Sequence, residues 1–378
     1  MVSSCSWHLV LGQAINSRIR IAERFILQIG CDYVLGTDIA IDLGTYAVKI
    51  YVEGKGMVVN EPSVVAVRAD SDEVLAVGSD AFAMLGRTSD KIKVIHPLTM
   101  GVISNFELAR YLVNYYIQQL GGSKLMHTHV MPRAVVSLPC QITGVERRAI
   151  VNSVSRARVR RVYSIDEPVA AAMGAGVDVA NPHGSLVIDV GAGATDMGVI
   201  SLGGLSIARS IKVAGFAFDQ AIIRYVRNKY DLIIGDRMAE SCKVAVGGVL
   251  QRPEPLACRI KGRDANTGLP AWVDVTSEEL VAPMLDPAAE IAHILQEMLE
   301  KTPPELLGDV YVDGVVMTGG SAKLFGLSEY LADKVKMPVH IAEDADICVA
   351  LGAGKAISFM DDAENKEYGV INPLSAVY

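Results

Sequence analysis

The stretch Leu186-Val-Ile-Asp-Val-Gly-Ala-Gly-Ala-Thr-Asp-Met-Gly-Val-Ile-Ser-Leu-Gly-Gly-Leu205 decides how the chain is read. A short apolar run ends in Asp189, two glycines follow at 191 and 193, then Thr195, Asp196 and a second apolar run. This pattern predicts a strand, a tight glycine turn and a returning strand. Glycines in such a turn let backbone N–H groups approach a phosphate with no Cβ in the way. Asp189, at the end of a buried strand, is placed to hold a cation through water. A single turn of this kind is more often structural than phosphate-binding.

The stretch occurs twice. Asp38-Ile-Ala-Ile-Asp-Leu-Gly-Thr-Tyr-Ala-Val-Lys-Ile-Tyr-Val52 has the same plan, with Asp42 matching Asp189 and Gly44 matching Gly191. The two copies lie about 150 residues apart, the usual length of one domain. Two related halves are therefore expected, with a nucleotide between them gripped by both turns.

Working outward, the 378 residues suffice for two or three domains with large cores. Charged residues are 21% and hydrophobic residues 51%, the composition of a packed protein rather than a disordered one. A net charge of -8 argues against general nucleic-acid affinity. The six cysteines form no C-x-x-C pair, which argues against a disulfide framework or zinc site and fits a reducing cytoplasm. No apolar run reaches the roughly 18 residues of a membrane-spanning helix.

Residues 1–36 read as an extension. They lack the basic-then-apolar layout of a signal peptide. From Gln13 to Ile29 the residues Ile15, Ile19, Ala22, Ile26 and Ile29 share one helical stripe, with Arg18, Arg20 and Arg24 off it. Such a helix can lie on an anionic membrane or pack on the body; both readings stay open.

Further along, a strand is expected over Val58–Val67, interrupted by Asn60-Glu-Pro62. A helix is expected over Phe106–Leu120, and a loop follows that carries Leu125 and Met126. A helix from Thr143 is signalled by a capping box with Glu146. Arg156, Arg158, Arg160 and Arg161 read as a solvated basic face. Glu240 and Lys243 sit three apart on one helical face, as a grip for a ribose and base edge or as a surface ion pair. Val310–Met317 reads as a strand running into Thr318-Gly-Gly-Ser321, a third glycine corner suited to a base or phosphate.

Together these motifs resemble the actin, Hsp70 and sugar-kinase superfamily, and within it the MreB family of bacterial actin-like cell-shape proteins. The wording is close at Asn60-Glu-Pro-Ser-Val-Val-Ala66, Met84-Leu-Gly-Arg-Thr88, Glu146-Arg-Arg-Ala149, Glu167-Pro-Val-Ala-Ala-Ala172, Ile200-Ser-Leu-Gly-Gly204 and Glu300-Lys-Thr-Pro-Pro-Glu-Leu306. The last of these has no catalytic logic of its own, so it speaks for kinship. The resemblance runs from about Asp38 to Gly354 and leaves residues 1–36 outside.

The resemblance implies an α/β, duplicated actin-like (ribonuclease H-like) fold, with two lobes, a nucleotide cleft and four subdomains. One lobe would take 37–66, 99–181 and 351–378, with 67–98 as its small subdomain. The other would take 182–217 and 282–350, with 218–281 as its small subdomain. ATP or GTP with Mg²⁺ would occupy the cleft, the metal held through water by Asp42 and Asp189.

The resemblance assigns Asp42, Gly44, Thr45, Tyr46 and Ala47 to the first phosphate loop. Asp189, Gly191, Ala192, Gly193, Ala194 and Thr195 form the second. Glu240 and Lys243 match ribose and base contacts, and Gly319, Gly320, Ser321 and Ala322 the adenosine loop. Glu167 matches the acid that positions the attacking water. Subunits would stack into filaments, a partnership of the chain with itself. The filaments would lie on the inner face of the cell membrane, in the cytoplasm, with Leu125 and Met126 touching it, and would organise wall-synthesis and shape-complex membrane proteins.

The departures concern catalysis. The family's first loop usually reads Gly-Thr-Ala-Asn-Thr, but Gly44-Thr-Tyr-Ala-Val48 lacks two of its polar side chains. The second usually reads Gly-Gly-Gly-Thr-Thr-Glu; in Gly191-Ala-Gly-Ala-Thr-Asp196, Ala194 stands where a threonine hydroxyl helps hold the catalytic water. Ser321 replaces a glycine, and Gly215-Phe-Ala-Phe-Asp219 replaces Gly-Asp-Glu-Met-Asp. Nucleotide binding with slow hydrolysis, as in a divergent paralogue, is the expectation. The alternatives are a small-molecule kinase, with Glu167 as its base, and a chaperone-type ATPase, which would need a further substrate domain.

Overall fold

The computed structural model describes residues 37–120 and 131–361. The stripe over Gln13–Ile29 and the loop with Leu125 and Met126 lie outside the described residues.

The first half opens with β1 (Ile39–Leu43), buried along its whole length, paired antiparallel with β2 (Ala47–Val52) so that Asp42 faces Lys49. β3 (Gly56–Pro62) extends the hairpin. Asn60-Glu-Pro62 therefore lies inside a strand; the break falls at Ser63–Val64, ahead of β4 (Val65–Arg68). Ser63 ends the run because its hydroxyl donates to the Gly44 carbonyl at 2.7 Å, pinning the strand end to the first turn. β4 forms a small sheet with β5 (Val74–Val77) and β6 (Ile92–Ile95), backed by α1 (Ser79–Met84). A short hairpin of β7 (Leu98–Thr99) and β8 (Val102–Ile103) leads to α2 (Phe106–Leu120). Then come β9 (Arg133–Leu138), α3 (Gly144–Ser155), β10 (Arg161–Asp166) and α4 (Glu167–Gly174). Thr143 and Glu146 make the expected reciprocal capping box at the start of α3.

The second half repeats the plan. β11 (Ser185–Val190), β12 (Thr195–Ser201) and β13 (Gly204–Ile211) form an antiparallel meander. α5 (Gly215–Tyr230), β14 (Leu232–Ile233), α6 (Asp236–Val246), β15 (Ala257–Asp264) and β16 (Pro270–Thr276) build a second small unit. The chain returns through α7 (Ser277–Lys301), α8 (Pro304–Asp313), β17 (Val315–Thr318), α9 (Leu327–Val335), β18 (Val339–Ile341) and α10 (Cys348–Lys355). Val310–Asp313 are thus helical and not the start of a strand. Pro304 sits at the first helical positions, where its missing N–H costs nothing, and the helix it starts carries Val310 into the core.

Among the described residues the two large sheets have one topology. The first runs β10-β9-β1-β2-β3 and the second, read in the same sense, β18-β17-β11-β12-β13. In each, the opening strand is central, with an antiparallel meander on one side and parallel strands on the other. The sequence duplication is a duplication of fold.

Two helices, α4 and α10, join the halves. Their apolar faces share one core with Ala40 and Val135 of the first sheet and Val187 and Ile200 of the second. They approach to backbone contact. A Cβ on Gly352 would fall 1.7 Å from the Ala170 carbonyl oxygen, and one on Gly174 would fall 1.9 Å from that of Cys348. Small residues in both helices permit this seam, which sets how the two glycine turns face each other.

Candidate nucleotide cleft

Both glycine turns open into a cleft of about 460 Å³ between the halves. Its walls include Asp42, Gly44, Thr45, Tyr46, Ala47, Glu167, Asp189, Gly191, Ala192, Gly193 and Ala194. Glu240, Lys243, Gly319, Gly320 and Ser321 line it too. Thr195 and Ala322 are fully buried behind the wall: the Thr195 hydroxyl donates to the Val213 carbonyl at 2.6 Å, and Ala322 packs in the core of the second half. Residues Leu125 and Met126 fall outside the described residues.

The turns touch. A Cβ on Gly193 would lie 2.8 Å from Thr45 Oγ1 and 2.9 Å from the Met100 nitrogen, so only glycine fits there without a shift. Thr45 Oγ1 accepts the Gly101 N–H at 3.0 Å, locking the first turn to the β7–β8 hairpin. The Gly191 carbonyl accepts from the Gly215 N–H at 3.1 Å and from Ser321 Oγ at 2.7 Å. Ser321, a departure from the family loop, thus ties the third glycine corner to the second turn. Gly319 has φ 89°, and a Cβ would collide with the Val190 carbonyl at 2.3 Å. This left-handed corner against β11 needs glycine.

Acids crowd the floor. Asp42 accepts from Lys49 Nζ at 2.9 Å and from Ser137 Oγ at 3.1 Å. The Thr318 hydroxyl donates to Asp189 Oδ1 at 2.7 Å, yet burial pushes Asp189 up to about 6. Burial, then the charges of Asp196, Asp42 and Asp189, hold Glu167 well above the ordinary carboxylate range. Such a group can take a proton from water near neutral pH. Asp196 is also raised by burial, while the Cys140 N–H donates to it at 3.0 Å. Burial opposes the charge of Lys49, and the carboxylates of Asp42, Asp189 and Asp346 together outweigh it, raising the group above its ordinary value. Asp42 and Asp189 give a hard-oxygen donor set, and among the described residues no three His, Cys, Asp or Glu side chains form a metal cage. That combination fits a cation that keeps its waters and leans on phosphate oxygens, as Mg²⁺ does.

At the mouth the expected Glu240–Lys243 pair is not made. Lys243 Nζ bonds Asp219 Oδ2 at 2.9 Å and the Gly215 carbonyl at 3.0 Å. Glu240 instead accepts from the Tyr46 hydroxyl, across the cleft, and burial together with that carboxylate pushes Tyr46 up to about 12. Beside them Arg237 lies over the Phe82 ring at 5.5 Å, and His96 meets Phe216 edge-on at 6.5 Å. The basic run at Arg156, Arg158, Arg160 and Arg161 is exposed, away from the cleft.

The family model for the MreB/Mbl protein matches residues 36–365. The chain belongs to the MreB/Mbl family. It is 42% identical to the cell shape-determining protein Mbl of Bacillus cereus over 324 residues, 86% of this chain and 96% of the relative. It is 40% identical to the cell shape-determining protein MreB of Escherichia coli K12, covering 87% and 95%. The crystal structure of Spiroplasma citri MreB5 bound to AMPPNP superposes with TM-score 0.81 at 34% identity, over 87% of this chain and 98% of that one. A MamK double helical filament matches at TM-score 0.73 and 20% identity, a likeness of fold. The fold is therefore the two-lobed actin-like one.

Among the cleft residues that sequence reading did not single out are Lys49, Arg252 and Asp346, and Phe216 as a wall residue; Asp196 lies buried behind the wall. Lys49 had a signal: a lone cation in an otherwise apolar strand, opposite Asp42. The pairing of Glu240 with Tyr46 had none, because the partners lie on different halves.

Proposed function

We propose that this MreB/Mbl-family chain binds ATP, or GTP, with Mg²⁺ in the cleft and assembles into filaments. The filaments lie on the inner face of the cell membrane and organise wall synthesis through shape-complex membrane proteins. The observation that carries the reading is the contact of the two glycine turns at Gly193 and Thr45, which brings both turns to the wall of one space. Relatives bearing cell-shape names and a neighbour crystallised with AMPPNP support it.

In this reading Gly44–Ala47 and Ala192–Ala194 hold the phosphates through backbone N–H groups, while Gly191 closes its turn by donating its N–H to the Ala194 carbonyl at 3.1 Å. Asp42 and Asp189 hold the metal's waters, and the metal, when bound, neutralises phosphate charge. Glu240 takes the ribose once Tyr46 releases it, and Gly319–Ser321 back the base. Glu167 orients and deprotonates the attacking water. Ala194 offers no hydroxyl to share that task, so hydrolysis is slow. Residues 67–98 and 218–281 act as the small subdomains of the two lobes. Among the described residues no helix is long and apolar enough to cross a membrane, so membrane association would be peripheral.

Electron microscopy of the purified chain with and without MgATP tests this reading. Nucleotide-dependent filaments are expected. Monomers whose nucleotide turnover rises with an added sugar would instead identify a small-molecule kinase.

A further inference from the structure

Beyond the Gly319–Gly320 corner the cleft is walled by a loop and a ring. The Val249 N–H donates to the Phe325 carbonyl at 3.0 Å, and Gly248 bridges to Phe325. The segment leaving α6 is thereby stitched to the segment leaving the third glycine corner. Arg252 spans this seam. Its guanidinium lies over the Phe325 ring, 4.0 Å from the centroid, and its Nη2 donates to the Gly247 carbonyl at 3.0 Å. Its buried Nε–H has no acceptor among the described residues. Arg252, Gly247 and Phe325 all line the cleft. The acceptors at this end are already engaged: the Gly247 carbonyl by Arg252, the Gly215 carbonyl by Lys243 Nζ at 3.0 Å, and the Asp346 carboxylate by Lys323. What the wall has to offer a ligand is therefore mainly donors.

We propose that Arg252, held flat by Phe325, selects a guanine base over adenine at this end of the cleft. This rests on the nucleotide-binding reading above, in which Gly319–Ser321 back the base. A guanidinium is a planar fork of five N–H donors with no acceptor, and stacking on a ring fixes the plane of the fork. Guanine presents two acceptors side by side, O6 and N7, which match such a fork. Adenine keeps N7 but carries an amino group in place of O6, so it brings a donor against a donor-only cation. The Gly247 carbonyl, which could have received that amino group, already accepts from Arg252. To take adenine, the side chain would have to leave both the ring and the carbonyl.

Calorimetric titration of GTP, ATP, inosine triphosphate and 7-deaza-GTP into the full chain, each with Mg²⁺, tests this on the parent and on Arg252→Met. The parent should bind GTP about tenfold to hundredfold tighter than ATP, the discrimination that one two-pronged arginine–guanine pair supplies. Inosine triphosphate keeps O6 and N7 and should stay within about threefold of GTP, whereas 7-deaza-GTP, without N7, should lose about fivefold to tenfold. Arg252→Met should bring GTP down to the level of ATP and leave ATP within about threefold of its parent value. The ratio is the readout, because a loop that has merely loosened loses both nucleotides alike, and the base series on the parent needs no variant to fold. ATP bound as tightly as GTP by the parent would overturn the proposal. So would inosine triphosphate falling to the level of ATP, or an equal loss of GTP and ATP in Arg252→Met. A parent that binds none of the four would bring down the nucleotide reading itself, whereas tight binding without base preference would leave that reading standing.

Discussion

The Tyr46 hydroxyl, on the turn between β1 and β2, donates across the cleft to the Glu240 carboxylate on α6. One residue of the first glycine turn thereby holds the side chain proposed to take the ribose, and it bridges the two halves at the mouth. On the proposed reading, a ribose would have to displace that bond to reach Glu240. Tyr46→Phe removes the bond and keeps the ring against Phe82, 6.2 Å away. A hydrogen bond to a charged group contributes about 1.5–3 kcal/mol, partly repaid by water here, so ATP affinity should rise by about threefold to tenfold. Calorimetry would show it; a weaker nucleotide complex would mean that Tyr46 contacts the ligand directly.

The seam between α4 and α10 makes a second prediction. Gly352→Ala would place a methyl 1.7 Å from the Ala170 carbonyl oxygen, a backbone atom that yields only if the helices part. Overpacking of this kind costs about 1–3 kcal/mol and sometimes more. The thermal midpoint should fall by several degrees. ATP affinity should fall with it, since the seam sets the spacing of the two turns. An exposed control, Gly144→Ala, has nothing within 4 Å of the added carbon and should leave both unchanged.

What was legible in the sequence follows from what is local. The two hairpins are written in apolar runs, glycines and a terminal aspartate, and each folds as read, down to the reciprocal Thr143–Glu146 cap. Errors came where local signals compete. Asn60-Glu-Pro62 looks like a turn but is an edge stretch of β3, whose neighbour β2 carries the pairing. Val310–Asp313 has strand composition but inherits a helix started at Pro304. The cleft's own pairings were out of reach, because Tyr46 with Glu240 and Lys243 with Asp219 depend on how the elements pack together in space. The glycines of all three corners were visible, since the need for no Cβ is a property of the residue itself.

Asp189 makes the nucleotide-free fold pH-sensitive in an uncommon direction. Its folded value of about 6 lies above its ordinary 3.8. Between those values the folded chain holds a proton that the unfolded chain has released, so stability falls as pH rises from about 4 to about 6 and stays lower above. Two pH units amount to at most about 3 kcal/mol. Asp219, also raised to about 6 by burial, adds to the same slope. Asp189→Asn keeps an oxygen to accept from Thr318 and removes the titration. At pH 7 without nucleotide this variant should melt higher than the parent, with a shallower loss of midpoint between pH 5 and pH 7. An unchanged slope would place the titration elsewhere.

On the proposed nucleotide-binding reading, Ala194 bears on whether bound nucleotide is hydrolysed. It lines the cleft one residue after Gly193, with its Cβ 3.5 Å from the position a Cβ on Gly101 would take. Gly101 has no side chain, so there is room on that flank for a hydroxyl. Glu167 stands in the same cleft with its carboxyl pushed upward by burial and by neighbouring acids. Restoring the missing hydroxyl with Ala194→Thr should raise the single-turnover rate of phosphate release by about 10–10²-fold, below the full value of a preorganised donor because Asp196 and the first loop remain altered. ATP affinity should change by less than about threefold, since the backbone donors that bind phosphate are untouched. A parent rate already equal to that of Ala194→Thr would show that water is held by another group, and Glu167→Gln would then separate the base from its positioning partner.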